Sequence, residues 1–85
     1  EIAFWYHRSK PDTCITISKQ VIEKSEKIDY QKGKSRGLNS MAAAYRVKSN
    51  YQQALENQFK SLKIAEEIND KQGVINNFAG LGMIY

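Results

Sequence analysis

Apolar and small positions recur along this chain at the three-and-four spacing of buried helical faces, and nowhere at the period of two that marks strands. Cys14, Ile17, Val21, Ser25 and Ile28, with Ile15 and Ile22 beside them, form one such stripe. Ser9 is placed to N-cap it, with Pro11 in the first turn and Asp12 approximating a capping box, and the helix is predicted to run to about Asp29. A turn from Tyr30 to Gly33 leads to a second stripe, Leu38, Met41, Ala42 and Tyr45. Ser49 and Asn50 are expected to close that helix and cap the next, whose stripe is Ala54, Leu55, Leu62, Ala65 and Ile68. Asn69 and Asp70 make a further turn, and Gly73 opens a last helix carrying Phe78, Leu81, Gly82 and Tyr85. Residues 1 to about 8, with Ile2, Phe4, Trp5 and Tyr6, read as the end of a preceding helix. The pattern predicts an all-α fold of five helical segments.

The stripes repeat. Sliding the chain by forty positions sets Tyr45 on Tyr85, Gly33 on Gly73, Ile28 on Ile68 and Glu26 on Glu66. Physical type is also kept, as in Cys14 with Ala54, Ile22 with Leu62, Asp29 with Asn69 and Leu38 with Phe78. A period of about forty holding two helices is the signature of stacked helical hairpins. It divides the chain into a partial repeat (1–32), a complete one (33–72) and the first helix of another (73–85). Gly33 and Gly73 are read as residues that let the chain turn between hairpins. Ala42 and Gly82 are expected beneath a neighbouring helix, with Cys14 and Ala54 opposite. The missing initiator Met and a pattern still running at Tyr85 lead us to expect a piece of a longer protein.

The order bulky, Leu, small, Tyr, held by Phe78, Leu81, Gly82 and Tyr85 and conservatively by Leu38, Met41, Ala42 and Tyr45, resembles the tetratricopeptide repeat. Tyr51 and Ala54 match the start of that repeat's second helix, whereas Gln58 stands where an aromatic is common and Ser61 where Ala is common. The forty-residue spacing and the run from Ala54 to Lys71 are similar to the long-repeat variety found in sensor regions of bacterial two-component histidine kinases. The resemblance implies antiparallel hairpins in a right-handed superhelical array. It also implies a non-catalytic signal-sensing or protein-binding role in a larger bacterial protein, in a cytoplasmic or extracytoplasmic sensor region. The concave groove it implies is lined by Tyr6, Arg36, Asn39, Ala43, Arg46, Asn76, Ala79 and Met83, with Ala3 beside them. There the arginines would meet acidic groups of a protein or peptide, the asparagines its backbone, and Met83 and Tyr6 an apolar side chain.

Composition narrows the chemistry. A hydrophobic fraction of 41% with 26% charged residues and one proline fits a folded globular chain. No stretch reaches the length of a membrane span. His7 is the only histidine and Cys14 the only cysteine, which leaves no metal-ligand spacing and no partner for a nucleophile. We expect no cofactor and no enzymatic activity. Gly33-Lys34-Ser35 imitates the end of a phosphate-binding loop, but Ile28 stands where that loop needs its first glycine. The net charge of +4 raises nucleic acid as a partner. Glu23 and Glu26 interrupt Lys19, Lys24 and Lys27, however, and the second repeat lacks the Lys32, Lys34, Arg36 cluster, so no continuous basic stripe forms. A second reading is self-association into a homodimer through Phe78, Leu81, Ile84 and Tyr85 of the last helix.

Overall fold

The computed structural model describes residues 11–84. It contains four α-helices of matched phase, α1 (Pro11–Lys27), α2 (Gln31–Val47), α3 (Tyr51–Glu67) and α4 (Lys71–Ile84). Each helix begins twenty residues after the one before it, so the forty-residue self-match is two helices deep. The segment expected over residues 1–8, with Ala3 and Tyr6, lies outside the described residues, as does Tyr85.

The three turns are built alike. Asp29, Ser49 and Asn69 take positive φ values of 54°, 64° and 57°. At each one the following N–H reaches back five residues: Tyr30 to the Ser25 carbonyl, Asn50 to Tyr45 and Asp70 to Ala65. The residue at positive φ bonds to the carbonyl three before it. These two bonds are a Schellman motif, which satisfies the last carbonyls of a helix and reverses the chain. Glycine usually holds the left-handed position, and Asp and Asn tolerate it through local hydrogen bonding. The Asp29/Asn69 pairing seen in sequence is therefore a turn signal. Ser49 is the least suited of the three, and Ser49→Gly is expected to stabilise the chain by about 0.5–1 kcal/mol, read as a higher urea midpoint at unchanged slope.

Gly33 and Gly73 do not make the turns. Both lie inside helices, and no glycine has positive φ among the described residues. What they provide is closeness. A Cβ on Gly33 would sit 2.5 Å from the Ser25 hydroxyl oxygen and 2.7 Å from the Tyr30 ring, and one on Gly73 would sit 2.5 Å from an Asp70 carboxylate oxygen. Gly37 plays the same part against Ile22, at 2.9 Å. Asn50 precedes α3 but makes no side-chain cap bond, whereas Asp70 accepts the Gly73 N–H at the start of α4.

Successive helices pack as antiparallel hairpins, since residues early in one meet residues late in the next: Gly33 with Ser25, Ser35 with Ser61, Gly73 with Ala65. The centre is made of small and polar side chains. Cys14, Ala42, Ala44, Ala54 and Ala65 are fully buried, joined by Ser18, Ser35, Ser61, Gln58 and Asn77. Small side chains let helix axes approach, and every buried polar group then needs a partner. Ser35 and Ser61 satisfy each other, each hydroxyl donating to the other's carbonyl at 3.0 and 2.6 Å. Gln58 Nε2 donates to Asn39 Oδ1 at 2.6 Å and to Asn77 Oδ1, tying α3 to both α2 and α4. Asn77 donates in turn to the Gly73 carbonyl at 2.8 Å.

Ala42, Cys14 and Ala54 are buried as their spacing predicts. Gly82 is not beneath a neighbour, because a Cβ there would meet nothing within 4 Å. In α1 the buried stripe is rotated toward Ser18, leaving Val21 exposed, and Ile28 beyond the helix is 73% exposed.

Candidate functional site

Three helix faces converge on one cleft. Both α1 and α3 pack on α2, but no Cα of α1 comes within 8 Å of one in α3, so the two helices stand apart with α2 as the floor between them. Each contributes a single face: Lys19, Ile22, Glu23 and Glu26 from α1, Gln31, Lys34, Leu38 and Met41 from α2, and Asn57, Lys60, Ile64 and Glu67 from α3, with Lys63 at the rim. These spacings of three and four are what the helical period places on one side. The cleft encloses about 710 Å³. Its base is apolar, with Leu38 and Met41 buried and Ile22 and Ile64 half-buried, and its rim is charged.

The rim charges are ordered. Two hairpin reversals make α1 and α3 run in the same direction, so Lys19 and Lys60 share one end of the cleft, while Glu26 and Glu67 share the other. Seven residues of helix separate the ends of α1's row, roughly 10 Å. Glu23 and Lys63 lie at the same level between them. Lys34 bonds Glu26 at 3.0 Å. A cleft with an apolar base and opposite charges at its ends fits a peptide or helix of opposite polarity. The alternation of sign leaves no basic track for a phosphate backbone.

The groove residues named by resemblance occupy another side. Arg36 and Ala43 lie on α2 opposite Lys34, Leu38 and Met41 by helical phase, toward the flank where α2 touches α4. Arg36 is engaged within the chain, its Nη2 donating to both Asp70 carboxylate oxygens at 3.3 and 3.1 Å. Asn39 accepts from Gln58, and Asn76 accepts from Gln72 at 3.0 Å. Ala43 and Arg46 are half-buried, and Ala79 and Met83 are exposed.

Of the residues expected to self-associate, Phe78 is 57% exposed, but Leu81 is 8% exposed and faces inward, a correction to the expected patch. The helical phase that turns Gly73 and Asn77 toward α3 turns Leu81 with them. Ile84 is half-buried. Phe78 holds the repeat position of Leu38, which is 6% exposed. The difference is that Leu38 packs in the core cluster with Ile64 of α3 against it, whereas no described helix covers Phe78.

Asp70 is electrostatically constrained. The Gly73 N–H, and after it the Arg36 guanidinium with Lys32 adding attraction, hold its carboxyl below the ordinary Asp value, against the opposing effect of burial. A lowered folded-state value means that the ionised form stabilises the fold above the unfolded-state pKa, and that this contribution is lost as pH falls through the folded one. Asp70→Asn keeps a competent helix cap but removes the charge. It is expected to unfold at lower urea than the parent at pH 7, and the gap is expected to narrow as pH falls below the ordinary Asp value and through the lower folded-state one. Cys14 moves the other way, burial raising its thiol against the Ser18 contact.

Lys34 and Ser35 of the loop-like Gly33-Lys34-Ser35 run sit in mid-helix, the lysine paired with Glu26 and the serine buried against Ser61. Among the described residues no three His, Cys, Asp or Glu side chains gather as a metal site, and no helix is long and apolar enough to cross a membrane. In sequence the rim of the cleft is indistinguishable from ordinary charged helix surface. The available signal was that Lys19, Glu23 and Glu26 share a face with Ile22. No protein-family model, curated protein or solved structure matches the chain.

Proposed function

We propose that this chain is a protein-recognition module of stacked helical hairpins, a tetratricopeptide-like array, which holds a peptide or partner helix in the cleft between α1 and α3. The observation that carries the reading is the recess itself, with half-buried Ile22 and Ile64 over buried Leu38 and Met41, beneath a charged rim that has Lys19 and Lys60 toward one end and Glu26 and Glu67 toward the other. Binding buries Ile22 and Ile64, and the charged ends select the direction of the bound segment. On the resemblance alone, we place the module in the sensor region of a larger bacterial signalling protein, of the two-component histidine kinase kind. There a bound segment would alter the curvature of a right-handed superhelix and pass that change to an effector. This role involves no chemistry on the partner.

The test starts from a displayed library of random peptides selected against the intact chain. Selected binders are expected to weaken at least about tenfold on Lys60→Glu with Lys63→Glu, exposed changes that leave folding nearly untouched. Arg46→Ala with Met83→Ala, on the α2/α4 flank, is expected to leave them unchanged. The reverse outcome would move the site to the groove first named by resemblance. Absence of any saturable binder would remove the recognition reading.

A further inference from the structure

The cleft between α1 and α3 offers no free backbone edge. Its walls and floor are helices, whose backbone groups away from the ends are bonded within each helix. Both lining amides also donate inside the chain, Gln31 to Asp29 at 3.1 Å and Asn57 to the Gln53 carbonyl at 2.8 Å. An extended segment laid over Ile22 and Ile64 would bury its own N–H and C=O groups there without partners, which is costly for each group. A helix brings its backbone bonds with it. The size agrees as well. Two turns of a helix about 10 Å across and about 10 Å long occupy on the order of 800 Å³, against a recess of about 710 Å³. An extended segment covers the same length with only about three residues.

On the reading of the cleft as a recognition site, we propose that its occupant is a short amphipathic α-helix of a partner protein, acidic in its first turn and basic in its last, lying parallel to α1 and α3. Lys19 and Lys60, at one end, are exposed and make no ion pair among the described residues, so they are open to carboxylates. At the other end Glu67 is exposed and makes none either, while Glu26 is already bonded by Lys34. Glu23 and Lys63 at the middle level carry opposite signs, so the ends set the direction. Acid-first order also matches the occupant's own macrodipole, which makes the segment helical before it docks and lowers the entropy lost on binding. Its apolar stripe, at spacings of three and four, rests on Ile22 and Ile64. Because Lys34 offsets Glu26, the lysine end holds more strongly, and the partner's acidic turn contributes more than its basic one.

Two displayed libraries selected against the intact chain separate the possibilities. One randomises a face of a cross-linked helix of about fifteen residues, and the other consists of linear peptides with a central proline, which interrupts a helix. Binders are expected from the helical library, with Asp or Glu in the first turn, apolar residues in the middle and Lys or Arg in the last. A selected helix, synthesised and titrated by fluorescence anisotropy, is expected to weaken at least about tenfold when its charge order is reversed. Loss of its acids is expected to cost more affinity than loss of its bases. Lys19→Glu with Lys60→Glu and Glu67→Lys, all at exposed positions, exchanges the two charged ends of the cleft and is expected to select base-first helices instead. Binders drawn only from the proline library, or helices whose charge order does not follow that exchange, would overturn the helical occupant and leave the recognition reading standing. An absence of binders from both libraries would remove the two together.

Discussion

Replacing Gln58 with alanine is expected to cost about 2–4 kcal/mol, a large part of the roughly 4–13 kcal/mol that a chain of this length has in total. Gln58 is 2% exposed and its amide nitrogen serves acceptors on two helices, Asn39 on α2 and Asn77 on α4. Truncation removes packing from the middle of the stack and leaves the Asn77 carbonyl, itself 1% exposed, without its donor. The two contributions separate experimentally. Gln58→Met nearly keeps the volume and removes only the hydrogen bonds, so it is expected to cost about 1–3 kcal/mol. Gln58→Leu combined with Asn77→Leu removes donor and acceptor together and is expected to recover most of that loss. Urea unfolding at unchanged slope measures all three. If Gln58→Ala moved the midpoint no more than a surface substitution does, the polar spine would not be holding the helices together.

That spine is the part of the fold least visible in sequence. The stripes gave helices and a period correctly because helical spacing follows directly from which side chains avoid water, and the positions Cys14, Leu38, Met41, Ala42, Ala54 and Ala65 are buried accordingly. The same logic treats glutamine and asparagine as surface, so Asn77 carries no signal in it, and Gln58 stands out only as a departure from the aromatic position of the resembled repeat. Hydrogen-bond partnership depends on side chains nineteen residues apart, and a one-dimensional pattern of hydropathy does not carry it. Where small residues let helices come close, the gap is too narrow for an aromatic but accepts an amide that finds partners on both sides.

Glycine raised a related difficulty. Its ability to turn the chain and its ability to vanish under a neighbour look identical in sequence, and Gly33 and Gly73 proved to be of the second kind while Asp29, Ser49 and Asn69 made the turns. The candidate site divides in the same way. Each row lining the cleft was present as helical spacing, but only the separation of α1 from α3 joins the rows into one recess. The Arg36 to Asp70 bond, which links the α2/α4 flank internally, spans 34 residues of sequence.

The second large effect is a substitution whose sign depends on Gln58. In an ordinary exposed helix Gly→Ala gains about 0.5–1 kcal/mol by reducing the freedom of the unfolded chain. Gly82→Ala is expected to show that gain, since nothing lies within 4 Å of its added Cβ. Gly80→Ala in the same helix is expected to lose about 1–3 kcal/mol instead. Its Cβ would lie well inside contact distance of Gln58 Oε1 and 2.7 Å from the amide carbon. That amide has no free direction in which to swing, because its nitrogen is held by Asn39 and Asn77. Relief of the clash therefore breaks the bonds that join three helices. In a Gln58→Ala background the obstacle is gone, and Gly80→Ala is expected to become stabilising by up to about 1 kcal/mol, which gives the two positions a coupling energy of about 1–4 kcal/mol in a double-mutant cycle. An additive cycle would mean that Gly80 is glycine for some reason other than the Gln58 amide, and that the spine yields to pressure from α4 instead of resisting it.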